Sequence, residues 1–406
     1  MQSQPPSARG DRKPSVSKAS ALKFVILLGI VSLFADMTYE GARSITGPYL
    51  AVLGASATVV GIVSGLGELI GYSLRLASGY MSDRTQKYWS ITLFGYAINL
   101  LVVPLLALAG RWEVAAFLMV TERIGKGIRT PARDVILSSA TKQVGRGWGF
   151  GLHEALDQIG AVLGPLLVAA ALYFQGGYRT GFALLLVPAL LALAVLIAAR
   201  SLYPRPQRFE ASSLSHHLDQ TQGFPRVFWL YLAAMAFVAA GFADFPLIAY
   251  HFQKASVVPS DWIPIFYAIA MGVDAIAALI LGHLFDRKGI FAVVVAVLFS
   301  SFFAPLVFLG NSYIALAGMA VWGIGMGAQE SIMRAVIAEI ISANRRGVAY
   351  GIFNTGYGVF WFLGSALIGI LYDTSTTALI IFSIVTQLAS IPLLLKVSQE
   401  FRHSRR

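Results

Sequence analysis

The sequence predicts an all-α integral membrane protein with twelve transmembrane helices arranged in two pseudo-symmetric six-helix halves. Hydrophobic residues make up 57% of the 406 residues and charged residues only 13%, about half the roughly 25% of a soluble domain. The apolar residues fall into twelve stretches of about 20 residues, the length that crosses a bilayer as a helix. This composition excludes an ordinary soluble enzyme and a disordered protein. The absence of cysteine also excludes a disulfide scaffold and thiolate metal sites.

The predicted spans follow a polar tail at residues 1–21 and are interrupted once, by a longer proline-containing segment. That cytoplasmic linker, residues 201–226, separates a first half at 22–200 from a second half at 227–396, and residues 397–406 form a second tail. The twelve spans run over residues 22–50, 57–80, 89–110, 112–136, 148–174, 180–200, 227–252, 262–284, 290–309, 312–341, 348–372 and 376–396.

Basic residues are distributed unevenly between the two sides of the predicted membrane. With both termini inside, the outer loops carry only Arg111, Arg179 and Lys254, whereas the tails and inner loops carry most of the other Lys and Arg residues outside the spans. Because Lys and Arg accumulate in cytoplasmic loops, we expect a multi-pass protein of the inner cell membrane with both ends cytoplasmic. The same distribution accounts for the net charge of +11 without a nucleic-acid partner.

Short motifs of the first half recur in the second. GYMSDR at 79–84 matches GHLFDR at 282–287, LFAD at 33–36 matches GFAD at 241–244, and LGPLL at 163–167 matches LGSAL at 363–367. The repeats lie 200 to 208 residues apart. Two similar halves joined by a linker are typical of transporters that rock around a central site.

The two copies of the pattern G-x-x-x-D-R resemble the loop signature of the major facilitator superfamily. The resemblance covers residues 22–396 and is to the twelve-helix drug:proton antiporter type. It implies the major facilitator fold and a loop that latches the cytoplasmic side in one conformation. Thr85-Gln86-Lys87 depart from the longer basic form of the signature. The candidate latch residues are Gly79, Asp83, Arg84, Arg129, Arg133, Asp134, Glu154, Asp157, Gly282, Asp286 and Arg287.

The fifth span carries glycines at regular spacing. Gly151, Gly160, Gly164 and Pro165 are similar to the superfamily's antiporter motif, although Val168 replaces its last glycine. Small residues let two helices approach closely and proline bends a helix. The resemblance implies export in exchange for protons; generic helix packing is the alternative interpretation.

Charged residues lie inside several spans, where each costs at least about 2.5–3.5 kcal/mol on insertion scales. The resemblance implies that helices 1, 4, 7 and 10 line a central cavity, and all four carry charges. We expect the acids to bind protons or substrate and the arginines to act as counter-charges; static ion pairs are the alternative. The candidates are Asp36, Glu40, Arg43, Arg123, Asp244, Glu330 and Arg334.

Together these features predict a secondary active, proton-coupled transporter that exports a small organic or amphiphilic compound by alternating access. Two alternatives remain: a proton symporter importing a nutrient or organic anion, with Arg123 and Arg334 as ligands, and a lipid flippase-like or non-transporting sensor protein. The sequence has no phosphate-binding loop and no zinc-ligand spacing. We therefore expect no enzymatic activity, cofactor or metal. The expected partners are a small-molecule substrate, protons and the lipid bilayer, for a monomer.

Overall fold

A computed structural model describes residues 18–204, 223–342 and 345–404, without the side chains of Lys142, Gln143, Arg146, Arg334 and residues 401–404. The predicted tails and linker therefore fall partly outside the described residues. The described chain is helical and contains no strand. Its helices are α1 Lys18–Val52, α2 Ala57–Thr85, α3 Tyr88–Leu105 with a 3₁₀ turn at Leu106–Leu108, α4 Trp112–Val144, α5 Arg146–Tyr173, α6 Gly177–Leu184, α7 Leu186–Leu202, α8 Arg226–Gly241, α9 Phe245–Lys254, α10 Trp262–Lys288, α11 Phe291–Ser300, α12 Phe303–Leu309, α13 Ser312–Ile340, α14 Arg346–Thr374 and α15 Thr376–Ser404.

Ten segments of the described chain are long and apolar enough to cross a membrane. Three of these segments each consist of two consecutive short helices: α6 with α7, α8 with α9, and α11 with α12. Helices α4 and α13 contain 33 and 29 residues but lie outside this set because polar and charged side chains lower their hydropathy. The chain is a multi-pass membrane protein.

The seventh predicted span, 227–252, is broken in the middle. Helix α8 ends at Gly241, and α9 begins after Asp244, whose carboxylate accepts a hydrogen bond from the Phe245 backbone N–H. Pro246, in the first turn of α9, explains the break because proline favours a helix start and disrupts a helix interior. Two backbone carbonyls at the break accept hydrogen bonds from side chains. Trp322 donates to the Ala243 oxygen at 2.9 Å and Ser383 to the Gly241 oxygen at 2.6 Å. Such pairing makes non-helical backbone tolerable at membrane depth.

The helices before and after the linker pack mainly with members of their own half, and three helix pairs make most of the contacts between the halves. These pairs are α1 with α9, α2 with α14, and α5 with α10. We call the end of the bundle where α1 begins and α15 ends the tail end, and the opposite end the far end.

Contacts between the halves close the far end. The Asp373 carboxylate accepts from the Thr58 backbone N–H at 2.8 Å and from its hydroxyl at 2.7 Å. The Tyr250 hydroxyl donates to the Ala55 carbonyl at 3.1 Å. Gly47 lies directly against the Pro246 carbonyl, where a β-carbon would overlap the oxygen. Helices α1 and α2 are thus joined to α9 and α14 at this end.

Candidate functional site

Arg43 of α1 lies at the junction of the two halves and faces three carboxylates. Its Nη2 is 2.5 Å from Asp244 Oδ1 and 3.8 Å from Glu68 Oε1, and its Nη1 is 4.0 Å from Glu40 Oε1. Arg43, Glu40 and Asp244 are buried. Because Asp244 sits at the break between α8 and α9, the broken helix brings a carboxylate of the second half to an arginine of the first.

A second arginine extends this arrangement across the first half. Arg123 of α4 is 3.2 Å from the Glu68 carboxylate and 3.3 Å from that of its neighbour Glu122. The Asn99 side chain on α3 donates to Glu122 at 2.5 Å. We call the set Arg43, Arg123, Glu40, Glu68, Glu122 and Asp244 the charge network. In it, four carboxylates share two guanidinium groups, and Lys126 of α4 is a further cation close to Glu40 and Glu122.

Aromatic hydroxyls and rings connect the charge network to its surroundings. Tyr267 of α10 donates a hydrogen bond to the Glu40 carboxylate, which adds a further contact between the halves at this site. The Lys126 ammonium lies 3.7 Å from the centroid of the Tyr39 ring, a cation–π arrangement. Both helices that the resemblance placed at a central cavity in the first half, α1 and α4, therefore contribute to this site.

Asp36 of α1 and Asp157 of α5 lie close enough for their carboxyl groups to interact. Ser32 also donates to Asp157, and the Tyr39 hydroxyl donates to Asp36 at 3.5 Å. Asp36 is buried. Asp157 is half-buried. Each of two neighbouring carboxyls makes ionisation of the other more costly, and a single proton can be shared between them. We call Asp36 and Asp157 the carboxyl pair.

The candidate latch residues are dispersed. The charged residues of both signature copies are exposed at the tail end: Asp83, Arg84, Asp286 and Arg287. Glu154 on α5 is exposed as well. Within the described chain, neither signature aspartate has an ion pair. Gly79 and Gly282 are half-buried beside them.

Two basic latch candidates on α4 make local contacts. Arg129 is buried over the Tyr96 ring, 4.2 Å from its centroid. Arg133 donates to its neighbour Asp134 at 2.8 Å. Asp157, also a latch candidate, instead belongs to the carboxyl pair.

The glycines of α5 set its contact with α1. A β-carbon on Gly160 would overlap the Leu33 carbonyl oxygen, and one on Gly164 would overlap that of Met37. Pro165 is buried beside Gly164. Gly151, in contrast, faces open space, with nothing within 4 Å of the position that a β-carbon would take. The close approach of α5 to α1 is what places Asp157 against Asp36.

We predict that Gly164→Val separates α5 from α1 and reduces transport at least about tenfold, because overpacking costs about 1–3 kcal/mol. Gly151→Val, on the same helix but in open space, is the matched control and should retain transport. Transport per folded molecule and thermal unfolding temperature check both variants. Equal activity of the two variants would contradict the assigned role of Gly164.

The two remaining candidates lie on α13. Glu330 is exposed, while the side chain of Arg334 lies outside the described residues. Glu68, by contrast, was absent from the predicted site and is central to it. Its signal in the sequence is an acid inside an apolar helix, one that shares a face with Arg75. Its partners Arg43 and Arg123 are on other helices, so the spacing within α2 does not identify them.

A small cavity of about 40 Å³ lies beside the charge network, lined by Arg43, Arg123 and Glu122 together with Ser64 and apolar side chains. The Ser64 hydroxyl and the Arg43 Nε have no hydrogen-bond partner within the described chain. A polar cavity of this size holds one or a few water molecules. Among the described residues no group of three or more His, Asp or Glu side chains is arranged to hold a metal ion.

Comparisons with known proteins agree with this architecture. The family model described as Major Facilitator Superfamily matches residues 27–365 and 245–404. An uncharacterized protein of Mycobacterium tuberculosis is 40% identical over 96% of this chain and 95% of its own length. An uncharacterized MFS-type transporter of Methanocaldococcus jannaschii is 28% identical over 92% of this chain and 94% of its own.

A solved structure shares the fold at low sequence identity. A bacterial homolog of the human lysosomal transporter Spinster, in an inward-facing and unoccupied conformation, superimposes with a TM-score of 0.71 at 15% identity. The match covers 95% of this chain and 97% of that one. The family match, the helical membrane architecture and this shared fold identify the chain as a transporter that belongs to the major facilitator superfamily.

Proposed function

We propose that this chain is a proton-coupled secondary active transporter of the inner cell membrane that exports small organic or amphiphilic compounds in exchange for protons. The observation that carries the proposal is the carboxyl pair, Asp36 with Asp157, beside a charge network that joins the halves through Arg43 and Asp244. A site of this kind can take up a proton in one conformation and release it in another.

The structure supports an inward-facing assignment when the tail end is taken as cytoplasmic. The positive-inside rule places the tail end there. Contacts such as Asp373 with Thr58 close the far end, whereas Glu154 and Glu330, toward the tail end, are exposed. The Spinster homolog with which the chain superimposes is also described as inward-facing. In this state a compound enters the central cavity from the cytoplasm.

The proposed cycle couples that entry to proton release. Binding of substrate to the tail-open form displaces protons from the acids, the halves then rock so that the far end opens, and external protons replace the substrate. In this scheme, Asp36 and Asp157 hold the proton, and Arg43 and Arg123 pair with the neighbouring carboxylates. The superfamily's rigid-body rocking needs no other moving part.

The importer of organic anions is less well supported by the geometry. Such a protein needs a cation available to its substrate. Arg43 and Arg123 are both already paired with carboxylates at 2.5 and 3.2 Å. An anionic substrate would therefore have to displace the protein's own carboxylates from both guanidinium groups.

A thermal-shift panel on purified protein tests the proposal and the compound class. It compares tetraphenylphosphonium, an organic anion, a sugar, a lysolipid and a divalent metal, with wild type, Asp36→Asn and the control Glu113→Gln. Glu113 is exposed and paired only with Arg111 within the described chain. We expect tetraphenylphosphonium to stabilise wild type and the control, since a ligand stabilises the state that binds it. Asp36→Asn should weaken that stabilisation at least about tenfold in apparent affinity.

Other outcomes would redirect the assignment. Stabilisation by the anion or sugar alone would contradict the exporter proposal and favour import. An Asp36→Asn response identical to that of Glu113→Gln would remove Asp36 from the site.

A further inference from the structure

We propose that Asp274 of α10 and Gln158 of α5 form a second proton-binding site, separate from the carboxyl pair and from the charge network. The inference rests on the proposed proton coupling and names a further place where the coupling operates. The site lies where α5 of the first half packs on α10 of the second. Nothing in the sequence repeats or the superfamily signature pointed to it.

Asp274 is buried, and its one described hydrogen-bond partner is a neutral amide. It is 1% exposed, and its Oδ2 accepts a hydrogen bond from Gln158 Nε2 at 3.3 Å. Its Oδ1 has no partner within the described chain, and neither does the Gln158 Oε1. The site thus contains two unsatisfied acceptor oxygens and lacks a donor. One proton on the carboxyl supplies a donor and removes the charge, which relieves the large cost of an isolated buried carboxylate.

Three described acidic residues lie close to Asp274 on the surrounding helices. They are Glu330 of α13, Glu154 of α5 and Glu40 of α1. No Lys or Arg whose side chain is described forms an ion pair with Asp274. Nearby acids favour the neutral form of a carboxyl, as burial does. The electrostatic surroundings and the missing donor therefore lead to the same conclusion, that Asp274 is protonated in this conformation.

The space around Asp274 suits a proton better than a larger ion. A β-carbon on Gly327 of α13 would lie 2.8 Å from Asp274 Oδ1 and 2.6 Å from the Asp274 carbonyl oxygen. Helix α13 therefore packs tightly over the carboxyl. A metal ion needs several oxygen ligands in open geometry, and only two unpartnered side-chain oxygens, one from Asp274 and one from Gln158, are described here.

The site lies between α5 and α10, which belong to different halves and move relative to each other when the halves rock. While α5 and α10 are packed as in this structure, ionisation of Asp274 leaves a negative charge buried among acids. Loss of the proton therefore destabilises this contact, and raising the pH should favour the conformation in which α5 and α10 are rearranged and water reaches the carboxyl. The proton on Asp274 would thus stabilise the conformation that is closed at the far end.

Infrared difference spectroscopy of the purified protein in lipid tests this directly, because a neutral carboxylic acid has a carbonyl band distinct from that of a carboxylate. At neutral pH we expect wild type to show such bands, and Asp274→Asn to lose one of them. Gln158→Leu should shift that band without removing it, since Asp274 keeps its proton but loses its hydrogen bond to the amide. This second variant keeps the test valid if Asp274→Asn folds poorly.

Parallel measurement of Asp36→Asn separates this inference from the proposed function. Loss of a band in Asp274→Asn, with a different band lost in Asp36→Asn, supports both sites. Unchanged neutral-acid bands in Asp274→Asn and in Gln158→Leu would overturn the second site and leave the carboxyl pair intact. Loss of a band only in Asp274→Asn would support the second site and contradict the role given to Asp36.

Discussion

Replacing Arg43 by leucine is expected to abolish transport and to lower the free energy of unfolding by about 3–5 kcal/mol, the usual effect of breaking a buried ion pair by removing one partner. Arg43 is the shared cation of Asp244, Glu40 and Glu68. Without it, Asp244 keeps only the Phe245 backbone N–H as a described donor. The ionised carboxylates must then take up protons or draw in water, and the link between the halves is lost.

Thermal unfolding of purified protein and transport in reconstituted vesicles measure both effects. The double variant Arg43→Leu/Asp244→Leu should recover part of the stability, since it removes the unpaired charge as well. Arg111→Leu is the matched control, because its ion pair with Glu113 is largely solvent-exposed and is worth at most about 1 kcal/mol. Equal destabilisation by Arg43→Leu and Arg111→Leu would contradict the central position assigned to Arg43.

Gly47→Val is expected to prevent closure of the far end and to stop transport. Gly47 lies against the Pro246 carbonyl of the other half, leaving no space for a β-carbon. Overpacking costs about 1–3 kcal/mol, which corresponds to about a 5- to 150-fold change in the ratio of two conformations. The cost applies only to the conformation in which α1 and α9 touch, so the variant should populate the alternative one.

Spin labels at positions 52 and 262 report this change, because Val52 and Trp262 are exposed on opposite halves near the far end. The chain has no native cysteine, so labelling needs no background substitutions. Gly272→Val is the control: it is also a helical glycine, but a β-carbon added there would have nothing within 4 Å. If Gly47→Val and Gly272→Val give the same label distances as wild type, the contact at Gly47 does not govern closure.

The fold could be predicted from sequence because its signals are local. Span length, hydropathy and loop charge each depend on neighbouring residues, and the repeated signature at Gly79 and Gly282 led to the family. The break at Asp244 was not predicted, although the nearby Pro246 offered a signal for it. Hydropathy alone predicts one continuous helix over residues 227–252, because it does not include the effect of a proline on the preceding helical turn.

The site depends on pairings that no single helix encodes. Asp36, Glu40 and Arg43 are four and three residues apart, which places them on one face of the first helix, but Asp244 reaches Arg43 from 201 residues away. Asp157 was assigned to the latch by its position on the fifth span, and the contact that brings it to Asp36 depends on how closely α5 approaches α1. Gln158 and Asp274 meet in the same way, between halves. Helix packing decides these contacts, and a single sequence does not report it.

The distance between spin labels across the tail end, measured as a function of pH, tests the proposed proton coupling most directly and needs no substrate. Tyr80 on α2 and Phe291 on α11 are exposed sites on opposite halves for the two labels. We expect acidic pH to favour the long distance of the tail-open form and alkaline pH to add a shorter one, because the buried acids of this form hold protons. Asp36→Asn should make the pH dependence shallower, and Asp36→Asn/Asp274→Asn should remove it. A wild-type distribution that stays the same from acidic to alkaline pH would contradict proton coupling.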